Sequence, residues 1–333
     1  MPDSAEGPTR MPRRTRLKRR REELEARAHA TREEIRAQVA ATRAQIDQAN
    51  EKIEARTGRN LPVAILLGLG LGGSMLVSLV LVKSLYMIVA GVIVGFTALE
   101  LASALRFAGR DVPRVPTVIA GLALIPASFF LDDDGRWLVF LAAVVFVALW
   151  RTAELARPSH RSTREAFWND VGAGTFIQAY VPFLGSFSVL LTAQDGGQWW
   201  TLAFFILVIL IDTGAYASGL LFGKHPMAPK ISPKKTWEGF AGSIVVALVA
   251  GVFLAAYMIH MPLWFGLVFG ATMVATATIG DLTESLIKRD LGIKDISTWL
   301  PGHGGFLDRL DSILPSAAAA YMLYVVFSSL STA

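Results

Sequence analysis

The sequence predicts an all-α integral membrane protein that crosses the bilayer about nine times. Composition is the first reason: 53% of the residues are hydrophobic, 18% are charged and the mean hydropathy is +0.46, whereas soluble domains carry roughly 25% charged residues. The second reason is a series of apolar runs close to the ~20 residues that a membrane helix needs. The chain has no cysteine, which excludes disulfides, thiolate catalysis and cysteine-based metal sites.

Residues 1–59 are predicted to form a basic cytoplasmic tail, helical or disordered, ahead of a multi-span membrane domain over residues 60–333. The tail holds 15 of the 32 basic residues but only 10 of the 27 acidic ones, and so carries the whole net charge of +5. Its composition favours a solvated or frayed helix, while a basic arm on anionic lipid and a coiled-coil seam stay open. No secretory signal is expected, because the first apolar run begins only near Leu61.

Nine apolar runs are predicted to span the membrane. The first two meet at Lys83 and Ser84, with almost no connection between them. No internal repeat is evident, which disfavours a transporter. The predicted spans cover residues 61–81, 84–105, 115–131, 136–151, 171–191, 198–221, 239–259, 262–284 and 314–331.

The distribution of Lys and Arg predicts the orientation of these spans. If the tail is cytoplasmic, fifteen of the seventeen basic residues beyond it fall in cytoplasmic loops, in agreement with the positive-inside rule. Only Lys83 and Arg136 fall on the opposite side, together with the acidic turn 132–135. Merging the first two spans would scramble this segregation, so we expect nine spans with the C-terminus outside.

Three polar clusters lie at the predicted cytoplasmic ends of spans six to nine, where a single site could hold them. In the first cluster, Asp212 lies within an otherwise apolar run. An ionisable residue at such depth is costly and normally faces a cavity, a partner or an ion. A packed Asp212 that is capped by the backbone or by Thr213 is the alternative, but we favour a role as a ligand or as a support for one.

The second cluster is KISPKKTWEGFAG, residues 230–242. Ser232 followed by Pro233 is typical of a helix N-cap, which predicts Lys234 and Lys235 in the first turn of a helix. Cations there oppose the helix dipole, whereas a helix N-terminus with two lysines suits a phosphate-bearing ligand. Positive-inside anchoring is the alternative, although it does not explain the Ser-Pro pair or the Trp-Glu pair that follows.

The third cluster is GDLTESLIKRD, residues 280–290, at the end of the eighth predicted span. Positions i, i+3, i+4 and i+7 of a helix form one stripe. In this segment they are Asp281, Glu284, Ser285 and Lys288. Glu284 and Lys288 also fit a plain i,i+4 salt pair, and this alternative stays open.

The loop that follows adds two carboxylates and a histidine. Asp308 and Asp311 are three residues apart, so one helical turn would direct both carboxylates the same way. Hard divalent cations prefer such ligands, and Mg²⁺ typically takes one or two carboxylates plus substrate phosphates. His303 is flanked by glycines, which suggests backbone brought close to a ligand. Pro315 leaves open whether the last span begins before Asp308 with a kink or only after Ser312.

The three clusters together supply carboxylates for a metal, Lys and Arg for phosphate oxygens, and glycines for close approach. This combination suits phosphoryl or nucleotidyl transfer, in which positioning and electrostatic stabilisation carry most of the catalysis.

These segments closely resemble the phosphatidate cytidylyltransferase (CDP-diacylglycerol synthase) family over roughly residues 60–331. The segments DTGAY, FGKH, ISPKKTWEG and GDLTES occur in the family's order, and the C-terminal signature is matched without departure. The matching signature positions are Ser285, Lys288, Arg289, Lys294, Asp295, Ser297, Leu300, Pro301, His303, Gly304, Gly305, Asp308, Arg309 and Asp311. The resemblance does not extend to the tail.

The resemblance implies an enzyme of phospholipid biosynthesis that converts CTP and phosphatidate to CDP-diacylglycerol and pyrophosphate with Mg²⁺. It assigns the metal to Asp281, Asp308 and Asp311. The catalytic and phosphate-holding positions that it implies are Lys288, Arg289, Lys294, Asp295, His303 and Arg309. The substrate-binding positions that it implies are Asp212, Ser232, Lys234, Lys235, Thr236, Trp237, Glu238, Ser285, Gly304 and Gly305.

The expected partners are CTP, phosphatidate and other membrane lipids. No nucleic acid is expected, a homodimer is left open, and the expected location is a bacterial plasma membrane with the N-terminus and the site in the cytoplasm. Phosphatidate is already an anion at neutral pH, so its oxygen is expected to attack the α-phosphorus of CTP in line without a strong general base. Asp308→Asn is expected to abolish turnover while the protein stays inserted.

Two other enzyme classes share these requirements: a CTP-dependent lipid kinase, and a cytidylyltransferase for a different lipid phosphate. A transporter with Asp212 and Asp281 as an intramembrane relay is a further alternative. It leaves the basic residues and the His-Gly-Gly on one side of the membrane unexplained.

Overall fold

Helices make up nearly all of the regular structure. The computed structural model describes residues 61–131, 133–293, 296, 297, 299 and 304–330, with side chains from residue 68 onward. The predictions for the tail 1–59 and for Lys294, Asp295 and His303 lie outside the described residues.

The helices follow one another with short connections. A π-helical segment, Ala179–Phe183, joins the helix Arg164–Gln178 to the helix Leu184–Ala193, so that Arg164–Ala193 forms one long helical run. The α-helices are α1 (Leu61–Leu81), α2 (Lys83–Phe107), α3 (Arg114–Phe130), α4 (Asp133–Glu154), α5 (Arg164–Gln178), α6 (Leu184–Ala193), α7 (Gly197–Phe222), α8 (Trp237–Tyr257), α9 (Leu263–Asp290), α10 (Leu307–Leu310) and α11 (Ile313–Phe327).

A helix coincides with each predicted membrane span among the described residues. The described residues include seven helical runs long and apolar enough to cross a membrane: Lys83–Phe107, Asp133–Glu154, Arg164–Ala193, Gly197–Phe222, Trp237–Tyr257, Leu263–Asp290 and Leu307–Leu330. Gly68–Leu81 and Arg114–Phe130 are shorter apolar helices. Helices suit this setting because all their backbone hydrogen bonds form within the segment. The all-α polytopic fold class is confirmed, and the count of nine crossings stays a prediction.

A two-stranded hairpin lies between α7 and α8, where β1 (Pro226–Ala228) pairs antiparallel with β2 (Ser232–Thr236). The prediction that Ser232 caps the next helix was wrong, because Ser232 begins a strand. Thr236 is the N-cap of α8, and its Oγ1 accepts a hydrogen bond from Gly239 N at 3.1 Å. The Ser-Pro signal failed because a better cap, Thr236, follows four residues later.

The hairpin changes the placement of the two lysines. Lys234 and Lys235 lie on β2, not in the first turn of α8. Side chains alternate across a strand, so the two lysines point in different directions: Lys234 is exposed, whereas Lys235 is half-buried.

The buried core runs through the middle of the helical bundle. Leu101 on α2, Val189 on α6, Phe204 on α7, Phe269 on α9 and Leu314 on α11 all belong to one cluster of buried apolar side chains. Because the cluster joins helices from both halves of the sequence, it fixes α7, α8, α9 and α11 relative to α2.

Candidate active site

Three carboxylates meet where α9 approaches the junction of α10 and α11. One oxygen each from Asp281, Glu284 and Asp311 lies within 4.8 Å of the others, and we call these three residues the carboxylate group. Asp281 and Glu284 share a face of α9 because they are three residues apart. Glu284 is only 1% exposed, and its Oε1 has no hydrogen-bond partner among the described residues.

A glycine allows the third carboxylate to reach α9. A Cβ on Gly280 would overlap the carbonyl oxygen of Asp311 and would lie 2.7 Å from Pro315 Cγ. The absence of a side chain therefore lets the α10–α11 junction rest directly on α9, next to Asp281. Pro315 lies in the first turn of α11, where a missing N–H is tolerated. The last span thus consists of a short helix and a second helix from Ile313, which resolves the alternatives left open by the sequence.

Two lysines contact this acidic region. Lys235 on β2 forms an ion pair with Asp281. Lys288 on α9 lies 2.6 Å from Glu284 and 3.0 Å from Asp308. The i,i+4 pair between Glu284 and Lys288 therefore exists alongside the carboxylate group.

Asp308 is held in a different way from the carboxylate group. Its Oδ1 accepts a hydrogen bond from Lys288 Nζ, and its Oδ2 accepts one from Gly305 N at 2.7 Å. Gly304, just before this turn, has a φ of +78°, a conformation that favours glycine. Among the described residues, the group of converging carboxylates includes Asp311 but not Asp308.

A cavity of about 440 Å³ opens beside the carboxylate group, between α7, β2, α8 and α9. Its polar lining includes Asp212, Lys234, Lys235, Thr236 and Asp281, and its apolar lining includes Ile211, Tyr216, Leu220, Met227, Phe240 and Ala277. Asp212 thus faces a cavity, as expected for an acid in an apolar run. Asp212 also accepts a hydrogen bond from Ser312 Oγ at 3.4 Å, next to the carboxylate group.

Two of the predicted site residues hold the hairpin. Glu238 lies 2.5 Å from His225 Nδ1, and its other oxygen accepts hydrogen bonds from the backbone N–H groups of Lys224 and His225. Arg289 Nε donates to the carbonyl oxygen of Ile231 at 3.1 Å. These contacts tie the hairpin to the ends of α8 and α9, and so they position Lys234 and Lys235.

The other predicted residues are distributed around the site. Ser285 is buried in α9, Trp237 is exposed at the start of α8, and Arg309 is exposed on α10. Ser232 begins β2 and does not line the cavity described above. Gly305 is buried next to Glu100 of α2.

Glu100 was missed by the sequence predictions. It is 1% exposed, its Oε2 accepts a hydrogen bond from Leu307 N at 2.8 Å, and its Oε1 accepts one from Ser297 Oγ. The signal that could have found it is the one that singled out Asp212: a lone acid within an apolar span.

Comparison with known proteins identifies the family of this chain. The model of the cytidylyltransferase family matches residues 62–327, so the chain belongs to this family of enzymes. A phosphatidate cytidylyltransferase of Mycobacterium bovis is 39% identical over 274 residues, which cover 81% of this chain and 90% of that protein. The one of Mycobacterium leprae is 38% identical over 276 residues (80% and 88%), and the one of Staphylococcus epidermidis is 35% identical over 206 residues (60% and 75%). The family resemblance inferred from the motifs is confirmed.

Proposed function

We propose that this enzyme transfers the cytidylyl group of CTP to phosphatidate, which forms CDP-diacylglycerol and pyrophosphate in phospholipid biosynthesis. The observation that carries the proposal is the carboxylate group beside a cavity lined by Lys234 and Lys235. Carboxylates next to cations suit a reaction in which phosphate charge is held and redistributed. The names of the relatives supply the two substrates.

Mg²⁺ fits the residues of the carboxylate group. Hard divalent cations prefer carboxylate oxygens, and Glu284 offers a buried oxygen that has no other partner among the described residues. We assign the ion to Asp281, Glu284 and Asp311. The sequence predicted Asp308 as a ligand in place of Glu284, and we propose instead that Asp308 holds Lys288. When bound, Mg²⁺ supplies Lewis-acid stabilisation of charge on the phosphate oxygens.

The cations at the cavity would bind the phosphates of the substrates. Lys234 is exposed and makes no ion pair within the part of the chain that the structure describes, so its ammonium is available to phosphate oxygens. Lys235 lines the same cavity while it pairs with Asp281, and therefore bridges the bound phosphate and the carboxylate group. Lys288, held between Glu284 and Asp308, adds a fixed positive charge.

The chemistry needs no strong base from the protein. The phosphate of phosphatidate is already anionic at neutral pH, and its oxygen attacks the α-phosphorus of CTP in line while pyrophosphate leaves. The apolar wall of the cavity, in which Tyr216 and Leu220 are both exposed, suits acyl chains that enter from the bilayer. The protein acts mainly by positioning the two substrates and excluding water.

The proposed orientation places this site in the cytoplasm, where CTP is present. Nine crossings of a bacterial plasma membrane would put the N-terminus and the hairpin inside and the C-terminus outside, with Lys83 and Arg136 at the outer ends of their helices. A homodimer remains a prediction.

Because the chain has no cysteine, the single substitutions Lys230→Cys and Asp195→Cys would test the orientation. An impermeant thiol reagent on intact cells should label only the second.

The reaction is tested with purified protein and CTP labelled either in cytosine or in the γ-phosphate. We expect cytosine label in the lipid product and the γ-phosphate label in pyrophosphate, both only when phosphatidate and Mg²⁺ are present. If the γ-phosphate label entered the lipid and the cytosine label did not, the protein would be a CTP-dependent kinase and the proposal would be wrong. A panel of other lipid phosphates in the same assay tests the choice of phosphatidate.

A further inference from the structure

Glu100 binds both ends of the segment that leads into the last span. Ser297 Oγ donates to one carboxylate oxygen, and Leu307 N donates to the other at 2.8 Å. The two donors are ten residues apart in the sequence and about 200 residues from Glu100, so a single buried side chain on α2 holds both of them. Neither Ser297 nor Leu307 can be moved without leaving a buried acceptor unsatisfied.

Gly305 packs directly on the same carboxylate. A Cβ at position 305 would overlap Glu100 Oε1, so the close approach to Glu100 requires a glycine here. The backbone angle does not require it, because the positive φ belongs to Gly304. Gly305 N donates in turn to Asp308. Glu100 is thus one contact away from the side chain that holds Lys288.

We propose that Glu100 is a positioning residue for the reaction: it fixes Gly305 and Leu307 so that Asp308 is held between Gly305 N and Lys288. It touches no substrate in this assignment, and it acts through the two backbone positions that precede Asp308. The expected kinetic effects rest on the proposed function. Whether Glu100 holds the residues around Ser297 and Leu307 can be measured without any turnover.

The kinetic test compares two substitutions at Glu100 with one on the same helix. Glu100→Leu removes both acceptors, and we expect kcat to fall roughly tenfold or more. Glu100→Gln should retain most of the activity, because its oxygen can accept from Leu307 N while its amide donates to the rotatable hydroxyl of Ser297. Thr97→Val, one turn away, removes a buried hydroxyl that donates to the carbonyl oxygen of Ile93 on the same helix, and should leave kcat unchanged.

If Glu100→Gln were as inactive as Glu100→Leu, the charge or proton of Glu100 would be needed and a positioning role would be wrong. Unchanged kcat in Glu100→Leu would also overturn the proposal.

The structural test uses cysteine labelling, since the native chain has no cysteine. Ile296 is buried beside Glu100 and Ala255 is buried near the far end of α8. A small thiol reagent should modify Ile296→Cys roughly tenfold faster when Glu100→Leu is also present, with no change at Ala255→Cys, because the lost hydrogen bonds release only the segment. Faster labelling at both positions would mean general loosening, and no change at position 296 would mean that Glu100 does not hold the segment. Either result overturns the proposal whether or not the enzymatic assignment holds.

A double substitution covers the case in which Glu100→Leu does not fold. Gly305→Ala should be strongly impaired because its methyl group collides with Glu100, whereas Glu100→Ala removes the collision. We therefore expect Glu100→Ala with Gly305→Ala to be no more impaired than Glu100→Ala alone. If the two losses add, Gly305 serves something other than contact with Glu100, and the coupling that the proposal requires is absent. Ser297→Ala leaves the Leu307 contact intact. It should therefore speed the labelling of Ile296→Cys by less than Glu100→Leu does.

Discussion

Two buried polar regions of this protein differ in how their charges are balanced. The carboxylate group brings three acids within 4.8 Å of one another, with Lys235 on one of them and Lys288 on another. In the second region, which we call the Arg151 network, acids and bases alternate. Its members are Arg106, Asp111, Arg151, His160 and Asp170.

The Arg151 network satisfies its own members. Arg151 is 1% exposed, lies 2.9 Å from Asp170 and donates to the carbonyl oxygen of His160. Asp111 N donates to Asp170, and the Asp111 carboxylate lies 2.6 Å from His160 Nδ1. Buried ions that are paired and hydrogen-bonded in this way fix the relative positions of α2, α4 and α5.

The carboxylate group is not satisfied internally, since Glu284 Oε1 has no partner among the described residues. Like charges held together by the fold cost stability unless a cation joins them. We infer that a network whose members are all satisfied serves the fold, whereas the carboxylate group, which keeps one buried oxygen without a partner among the described residues, is available to a ligand. Four substitutions test this distinction.

The largest effect is expected at Asp311. Asp311→Asn removes a charge from the carboxylate group without changing its size, so turnover should fall more than about 100-fold, because even an outer contact of a metal ligand is typically worth about 10–100-fold. Thermal stability in detergent should be unchanged or higher, since repulsion from Asp281 and Glu284 is relieved. The measurements are kcat as a function of Mg²⁺ concentration and the midpoint of thermal unfolding. A stable variant with normal turnover would show that Asp311 is not part of the site.

The opposite result is expected in the Arg151 network. Asp170→Asn leaves Arg151 buried without its closest partner, and breaking such a pair typically costs about 3–5 kcal/mol. Thermal unfolding should shift to clearly lower temperature, while kcat per folded molecule stays the same. Asp195→Asn, which changes an exposed carboxylate, is the matched control with no shift. If Asp170→Asn lowered kcat without lowering the unfolding temperature, the Arg151 network would not serve the fold alone, and the distinction between the two regions would be wrong.

A medium effect is expected at Lys234, which lines the cavity. Lys234→Ala should raise the KM of one substrate roughly tenfold, as expected for the loss of one charge-assisted contact, with little change in kcat. The substrate whose KM rises, CTP or phosphatidate, identifies the phosphate that Lys234 binds. Lys230→Ala removes the same charge from the exposed turn of the hairpin and should change neither KM. If both variants behave alike, Lys234 acts only through the general surface charge.

The smallest effect is expected at the far end of α11 from the site. Tyr321 donates to Asp133 at 2.9 Å, and Arg136 is buried beside this pair against Phe187. Tyr321→Phe should cost about 1 kcal/mol of stability, the usual net value of one hydrogen bond, and leave kcat unchanged. Tyr324→Phe, which loses a more exposed contact to the backbone of Asp195, should cost less. The midpoints of thermal unfolding of the two variants provide the comparison.

The parts of the chain that form the candidate site could be singled out from the sequence because their signals are local. Asp212 and Asp281 stand out as acids in apolar runs, and Lys234 and Lys235 stand out as two adjacent lysines just before an apolar run. The cap at Ser232 was mispredicted for an equally local reason: Ser-Pro also begins a strand, and only the packing of Thr236 at the start of α8 decides between the two.

The sequence by itself determined the fold class, because twenty-residue apolar runs in lipid can only be helices, and it determined the family through closely spaced motifs. Only the tertiary structure decided which carboxylates converge. Asp308 and Asp311 look equivalent in sequence, but the close approach at Gly280 carries Asp311 onto α9, while Gly305 and Lys288 hold Asp308. Only the tertiary structure also brought Glu100 to Leu307, since a contact across about 200 residues depends on how α2 packs and leaves no trace in local spacing.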